Sequence, residues 1–350
     1  MITQLEAKNT HQPQSVHFLN GQCCVTLQVP IRASFVASVI WPCSIVLLNV
    51  LTVLCFRLQQ EPSKVSLVQS LRGRWSVKHV LSKIIVAPRE ERMDHLTLDG
   101  LAPVEGRKLC DQHQKKKEFD LSISLVPTIA KNVAVLELGS GTGIVGISAS
   151  RVLGSPLVWV TDQEKCMELL QLNVAASTTC GNCKHGEGKS CIEEMTAEFV
   201  PATCFPLNWC DTVQRRRILQ NFIDAAKKDP QVHCTWLVLC DCIYDPIHME
   251  RSPLVDLIDD YLYIVRHLNV MAHHHLPEAA ILIALETRDV DIESAFFQQL
   301  GKRLVGTAGR KGSDTNRFTL QCVHEEVCST PSDGNGLKPE NVRYQVWTVA

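Results

Sequence analysis

The apolar pattern is clearest from about residue 121 onward. Residues 133–138 form a short apolar, β-branched run, and a glycine-rich turn follows. Residues 144–153 then carry helical spacing, 157–161 read as a second strand ending at Asp162, and 166–174 as a helix. Further along, 236–240 and 280–285 read as strands, 253–269 and 291–300 as helices. A final strand pair is read at 317–323 and 342–349. Buried runs too short for helices, alternating with amphipathic helical stretches, predict an α/β fold with a mostly parallel sheet.

The N-terminal part is patterned differently. Asn20-Gly21 lies between two β-rich runs in 16–30, which is a hairpin signal. Residues 33–56 contain no charge, and Arg32 and Arg57 flank them. Twenty-four uncharged residues are long enough to span a bilayer. Trp41-Pro42, Asn49 and three serines interrupt the run, so it also suits a buried helix. Residues 57–120 have several Pro and Gly breakers, a basic stretch at Lys115, Lys116 and Lys117, and no repeat. They read as an insertion or linker, with the lysines on a solvated face.

Composition narrows the class. Hydrophobic residues make up 45% of the 350 and charged residues 21%, with a net charge of -2. These values exclude a wholly disordered or collagen-like chain, and a strong long-range field for nucleic acid. The 16 cysteines are scattered, and 1–14 lack an apolar signal core. Reduced thiols and a cytoplasmic location, with the nucleus as a second compartment, are expected.

The segment with most chemistry in it is Glu137-Leu-Gly139-Ser-Gly141-Thr-Gly143. A glycine turn between strand and helix lets backbone approach a ligand, and the helix start offers free N–H groups. Asp162, 19 residues after Gly143, ends the next strand, where a carboxylate can accept from ribose hydroxyls. Two nucleoside cofactors fit this pattern. Gly141-Thr-Gly143-Ile-Val-Gly146 matches the dinucleotide pattern of an NAD-dependent oxidoreductase. An acidic residue followed by alternating glycines suits S-adenosylmethionine. Glu137 favours the latter, since a carboxylate repels a pyrophosphate and attracts a sulfonium and an ammonium. By this strand reading Glu137, Asp162 and Asp241 all fall near carboxyl ends of strands, where open α/β sheets bind ligands.

Glu137 to Gly143 resembles motif I of the class I, seven-β-strand methyltransferases. Other segments resemble the methyltransferase-like protein-lysine methyltransferases, which modify chaperones, translation factors and ribosomal proteins. These are Val39-Ile-Trp41-Pro42, Val160-Thr-Asp162, Leu169-Leu-Gln-Leu-Asn173-Val, Leu207-Asn-Trp209, Asp241-Cys-Ile-Tyr244 and Leu285-Glu-Thr-Arg288 followed by Phe296-Phe297. The resemblance covers roughly 15–50 and 130–300. Asn208 and Cys210 depart from the family's Leu-Asp-Trp-Gly, and Trp41 lies 96 residues before Glu137, further than is usual.

The resemblance implies a Rossmann-like seven-stranded, mostly parallel sheet with helices on both faces, plus an N-terminal hairpin and helix. It divides the chain into 1–56, 57–120 and a catalytic 121–350. It implies S-adenosylmethionine as cofactor, held by Glu137, Gly139, Ser140, Gly141 and Asp162, with Trp41, Trp209 and Cys240 against it. Asp241 and Tyr244 would face a lysine presented by a protein substrate. A different nucleophile, or a catalytically weak binding module, are the alternatives. No nucleic-acid partner is expected, and 33–56 keep a membrane contact open.

Three further clusters stand outside this reading. Cys180, Cys183, His185 and Cys191 have partial zinc-ligand character within a cysteine-rich loop. His273, His274 and His275 read as a surface loop. Arg215, Arg216 and Arg217 read as a solvated patch near Asp211 and Asp224.

Overall fold

The computed structural model describes residues 14–18, 23–27, 42–60, 132–151, 153–178, 200–271, 278–306, 320–329 and 341–349. Trp41, the lysines at 115–117, the histidines at 273–275 and the candidate zinc ligands lie outside these residues.

Strands β1 (Gln14–Phe18) and β2 (Cys23–Leu27) pair antiparallel, Phe18 opposite Cys23, so the hairpin expected around Asn20-Gly21 has its two strands. Helix α1 follows (Pro42–Gln60). Its first residue is proline, which lacks the N–H that a helix start would leave unpaired. The boundary expected at 56 falls inside this helix.

The repeating part begins with β3 (Val133–Leu138), α2 (Ile144–Arg151), β4 (Leu157–Asp162) and α3 (Met167–Thr178). It continues with β5 (Thr203–Pro206), α4 (Thr212–Lys228), β6 (Cys234–Cys240) and the short α5 (Ile247–Glu250). Then come α6 (Pro253–Met271), β7 (Glu278–Glu286), α7 (Val290–Gly306), β8 (Leu320–Ser329) and β9 (Asn341–Val349). Among the described residues seven strands form one sheet in the order β5-β4-β3-β6-β7-β9-β8. The first five are parallel, and β9 runs antiparallel to both β7 and β8. The Rossmann-like, mostly parallel sheet read from the sequence is therefore the observed fold.

Every residue of β3 and β6 is buried, as expected of strands covered on both faces. Alternate side chains serve opposite layers. Val133, Val135, Trp236 and Val238 pack with α1, α2 and α3, whereas Ala134, Leu136, Leu237 and Leu239 pack with α4, α6 and α7. Helix α1 belongs to the first layer through Cys43, Val46, Leu47, Leu48, Val50 and Leu51. No helix among the described residues is long and apolar enough to cross a membrane. Burial against the sheet explains the lack of charge over 42–51.

Three elements were not read from the sequence: β5, α4 and the short α5. Strand β5 has four residues and among the described residues pairs only with β4, so it has no length for alternation to show. Helix α4 was overlooked although its signal is present: Ile218, Leu219, Phe222, Ile223 and Ala226 repeat at helical spacing and are all buried. Asp211 caps it, its carboxylate accepting from the N–H groups of Val213 and Gln214. The solvated arginine patch is corrected here. Arg216 and Arg217 are exposed, but Arg215 is buried, and its Nε donates to Asp260 on α6 at 2.6 Å. One turn of helix places 215 beside 218 and 219, on the face turned to the core.

Candidate active site

The chain leaves β3 for β4 on one side and returns to β6 on the other, so a crevice opens at the carboxyl ends of β3 and β6. A cavity open to solvent lies there. Its lining includes Glu137, Gly139, Ser140, Gly141, Asp162, Trp209, Cys240, Asp241 and Tyr244. These are all the candidate residues that the structure describes. Ser44, Thr142, Ile144, Gln163 and Cys242 also line the cavity and were not singled out in the sequence.

The glycine turn is stitched to the end of β4. Gly141 N–H donates to Asp162 Oδ2 at 2.7 Å, and Ser140 N–H to the Thr161 carbonyl at 2.9 Å. Thr161 Oγ1 donates to the Glu137 carbonyl, and Asn173 of α3 donates to that of Thr142. Asp162 Oδ1 accepts from Gln163 N–H at 2.7 Å. A carboxylate offers about four lone-pair directions, so Asp162 keeps acceptor capacity while it organises the turn.

Gly139 has φ +60°, and a Cβ there would come within 2.8 Å of the Trp209 ring and 2.9 Å of Cys242 Sγ. The indole thus closes directly over backbone. Its Nε1–H is buried and has no partner among the described residues. Gly146 is needed for close approach, since a Cβ would lie 2.2 Å from Val160. That closeness lets Gly146 N–H, near the start of α2, donate to Glu137 Oε2 at 2.9 Å.

Glu137 shares the strand face of Val133 and Val135, so its carboxyl is enclosed beneath α2. Burial pushes its pKa up to about 8, against the helpful N–H of Gly146. An acid that holds its proton more tightly when folded favours the fold at low pH. For Glu137 that contribution is complete below its ordinary value of 4.5 and is lost as pH rises towards 8. Glu137→Gln keeps an acceptor for Gly146 and removes the titration. Melting curves between pH ~5 and ~9 should show the wild type losing stability relative to E137Q up to pH 8, then no further change. Parallel curves would exclude this role for Glu137.

Asp241, immediately after β6, has φ +55° and is the one non-glycine residue with positive φ among the described residues. Such strain clusters at functional sites. Burial raises its pKa, and Arg288 opposes that through an ion pair of 2.8 Å between Nη2 and Oδ2. Arg288 also reaches Glu286 Oε2 at 3.2 Å. No role was read for this arginine, although it stands in the Leu285-Glu-Thr-Arg288 segment.

Tyr244 is exposed at the head of a segment that buries only His248 between Asp245 and Glu250. The His248 ring bonds Ser252 Oγ at 2.7 Å and the Cys242 carbonyl at 3.1 Å, while Gln299 donates to the His248 carbonyl. Burial lowers the pKa of His248, which suits a neutral structural peg. On the other wall Cys240 Sγ lies 3.3 Å from Ser44 Oγ and 3.6 Å from Cys43 Sγ, joining the start of α1 to the site. The departures at 208 and 210 form a tight turn. Asn208 Oδ1 accepts from Cys210 N–H, and the Trp209 carbonyl accepts from Arg215.

The donor set fits a cationic nucleoside ligand. Three carboxyl side chains, a glycine turn with no Cβ at its closest point and an unpaired indole N–H surround one cavity. A pyrophosphate would meet carboxylates instead of cations. Among the described residues no group of side chains could hold a metal ion.

A family model described as "Lysine methyltransferase" matches residues 112–186, which hold the glycine turn and Asp162. The match bears out the resemblance drawn from motif I. A comparison with curated proteins gives no match. Among solved structures the chain is similar to a precorrin-6y C5,15-methyltransferase from Geobacter metallireducens, at 9% identity and TM-score 0.32, covering 65% of this chain and 85% of that one. Similar too are a putative transferase of Pyrococcus horikoshii, at 7% identity, and TYW2 of the same organism in complex with MeSAdo, at 8%. Both have TM-scores of 0.29 over 65% of this chain, which spans 62% and 61% of their lengths. Likeness at this distance adds nothing to the strand order, which itself defines the fold.

Proposed function

We propose that this chain, a methyltransferase by its family match and dependent on S-adenosylmethionine, methylates a lysine side chain of another protein. The observation that carries the reading is the single cavity that gathers Glu137, Asp162 and Asp241 with the glycine turn and Trp209. When bound, S-adenosylmethionine supplies a methyl group activated by the sulfonium, so the protein has to bind, orient and exclude water.

Asp162 would meet the ribose hydroxyls with its remaining lone pairs, and the N–H groups of the glycine turn would lie against the ligand. Glu137 would answer its cationic end, because a nearby positive charge favours the carboxylate form. Trp209 would cover the ligand with an apolar face, and the Cys240 backbone would border it. Trp41 would be a further contact of the cofactor, as the resemblance implies. Tyr244 would orient the incoming amine through its hydroxyl, and Asp241 would stabilise the positive charge that builds on the acceptor nitrogen. The free lysine pKa is ~10.4, so a site that removes the amine from water favours the neutral nucleophile. An acceptor in the cytoplasm, such as a chaperone, translation factor or ribosomal protein, with the nucleus as a second location, completes the proposal.

The test is incubation of the purified chain with radiolabelled S-adenosylmethionine and a cell extract, followed by hydrolysis of the labelled proteins. Label recovered as methyl-lysine, and missing with D241N, is the expected result. Label in nucleic acid or on histidine would replace the acceptor. Cofactor binding by calorimetry without any label would make the chain a binding module.

A further inference from the structure

Asp241 sits where an ionised carboxylate is hard to keep. Its side chain is 4% exposed. The groups facing it from the surrounding elements are acids and neutral thiols. They are Cys43 on α1, Cys242 and Tyr244 beyond β6, and Glu286 at the end of β7. None of these favours a second negative charge. The cation opposing them among the described residues is Arg288.

Arg288 is delivered by a fixed loop. Its own N–H and that of Asp289 donate to Glu293 Oε1 at 2.9 and 3.3 Å. Thr287 N–H is tied to the Arg343 carbonyl on β9 at 2.8 Å, and Asp289 caps α7 through the N–H groups of Asp291 and Ile292. From this base the guanidinium reaches Asp241 Oδ2 and Glu286 Oε2 together. Asp241 Oδ1 has only a long contact, 3.5 Å, with Glu286 N–H. Oδ2 meets Arg288 as an ion pair and has no hydrogen bond among the described residues, so both oxygens keep open acceptor directions.

We infer that Arg288 is the positioning residue of the acceptor site: its ion pair holds Asp241 as a carboxylate, with acceptor directions left for the acceptor amine. This rests on the lysine methyltransferase reading for its substrate, but not for the arrangement itself. A protonated Asp241 would lose the negative charge that answers a developing ammonium. Both carboxylates are met by one nitrogen, Nη2, and the planar guanidinium fixes the direction of that nitrogen in a way a flexible ammonium does not.

The experiment uses the full chain with carbon-13 at the aspartate carboxyls, the Asp241 signal being assigned by its loss in D241N. In Arg288→Gln the Asp241 titration should move to higher pH, because the opposing cation is gone. In Arg288→Lys, which keeps the charge and loses the rigid planar group, it should stay near the wild-type position. Methyl transfer is read as the initial rate with a fixed, subsaturating amount of extract. The unknown acceptor concentration then cancels in the ratio of variant to wild type. R288Q should lose roughly 100-fold, the order expected of lost positioning, with the deficit larger at low pH. R288K should remain slow despite its normal titration. An Asp241 titration unmoved in folded R288Q overturns the inference, as does R288K transferring methyl at the wild-type rate. Should R288Q fail to fold, R288K decides by the same rate. A moved titration in a chain that labels no protein would retain the arrangement and discard the lysine acceptor.

Discussion

Asp241→Asn will reduce methyl transfer by roughly 10³-fold while leaving cofactor affinity within about threefold. The substitution separates charge from shape. Asparagine occupies nearly the same volume and adopts the left-handed backbone at least as readily as aspartate, so the φ of +55° is retained. Alanine there would add roughly 1–2 kcal/mol of backbone strain and blur the result. The main-chain bond from Asp241 N–H to the Ala284 carbonyl at 2.8 Å is untouched. What goes is the negative charge beside the acceptor nitrogen and the partner of Arg288. Calorimetry with S-adenosylhomocysteine reports cofactor affinity, and radiolabel transfer reports turnover. Turnover within tenfold of wild type would remove Asp241 from the chemistry.

The largest effect on stability is expected at Asp260. It accepts from Arg215 Nε at 2.6 Å and from Arg216 Nε at 3.0 Å. The two arginines differ in exposure: the Arg215 side chain is 7% exposed and that of Arg216 65%. Asp260→Ala leaves the Arg215 guanidinium buried without its counter-ion, a situation that costs about 3–5 kcal/mol. For a fold of this size that lowers Tm by roughly 10 °C. Arg216→Ala removes an exposed partner and should cost at most about 1 kcal/mol. Cofactor affinity should fall in D260A as well, because Arg215 Nη1 also donates to the Trp209 carbonyl at 3.0 Å. Pairing Arg215→Met with Asp260→Leu should recover much of the Tm, since an apolar pair replaces a buried ionic one. Equal melting shifts in D260A and R216A would overturn this account. Differential scanning calorimetry provides the comparison.

These two sites differ in how far the sequence exposes them. Asp241 is legible because it ends an apolar run at the edge of the sheet and is followed three residues later by Tyr244. Arg215 is not, because a run of three arginines reads as a solvated patch until the helix phase is known. Only the packing of α4 against α6 decides which arginine turns inward, and Asp260 is 45 residues away in the chain. The same holds for Arg288. Its segment could be matched to a strand and helix, but its reach to Asp241 depends on β6 and β7 being neighbours in the sheet.

Local physics settled the parts whose causes are local. Runs of β-branched residues made β3 and β4, glycines without Cβ made the turn between strand and helix, and carboxylates at strand ends marked the site. The tertiary structure alone decided the rest. Strand order placed β3 beside β6 and opened the crevice. Burial turned Glu137 into a weak acid and made Arg215 structural. The loop after β7 brought a cation to Asp241. Each of these depends on contacts between residues far apart in sequence, where dielectric and distance, not residue type, set the chemistry.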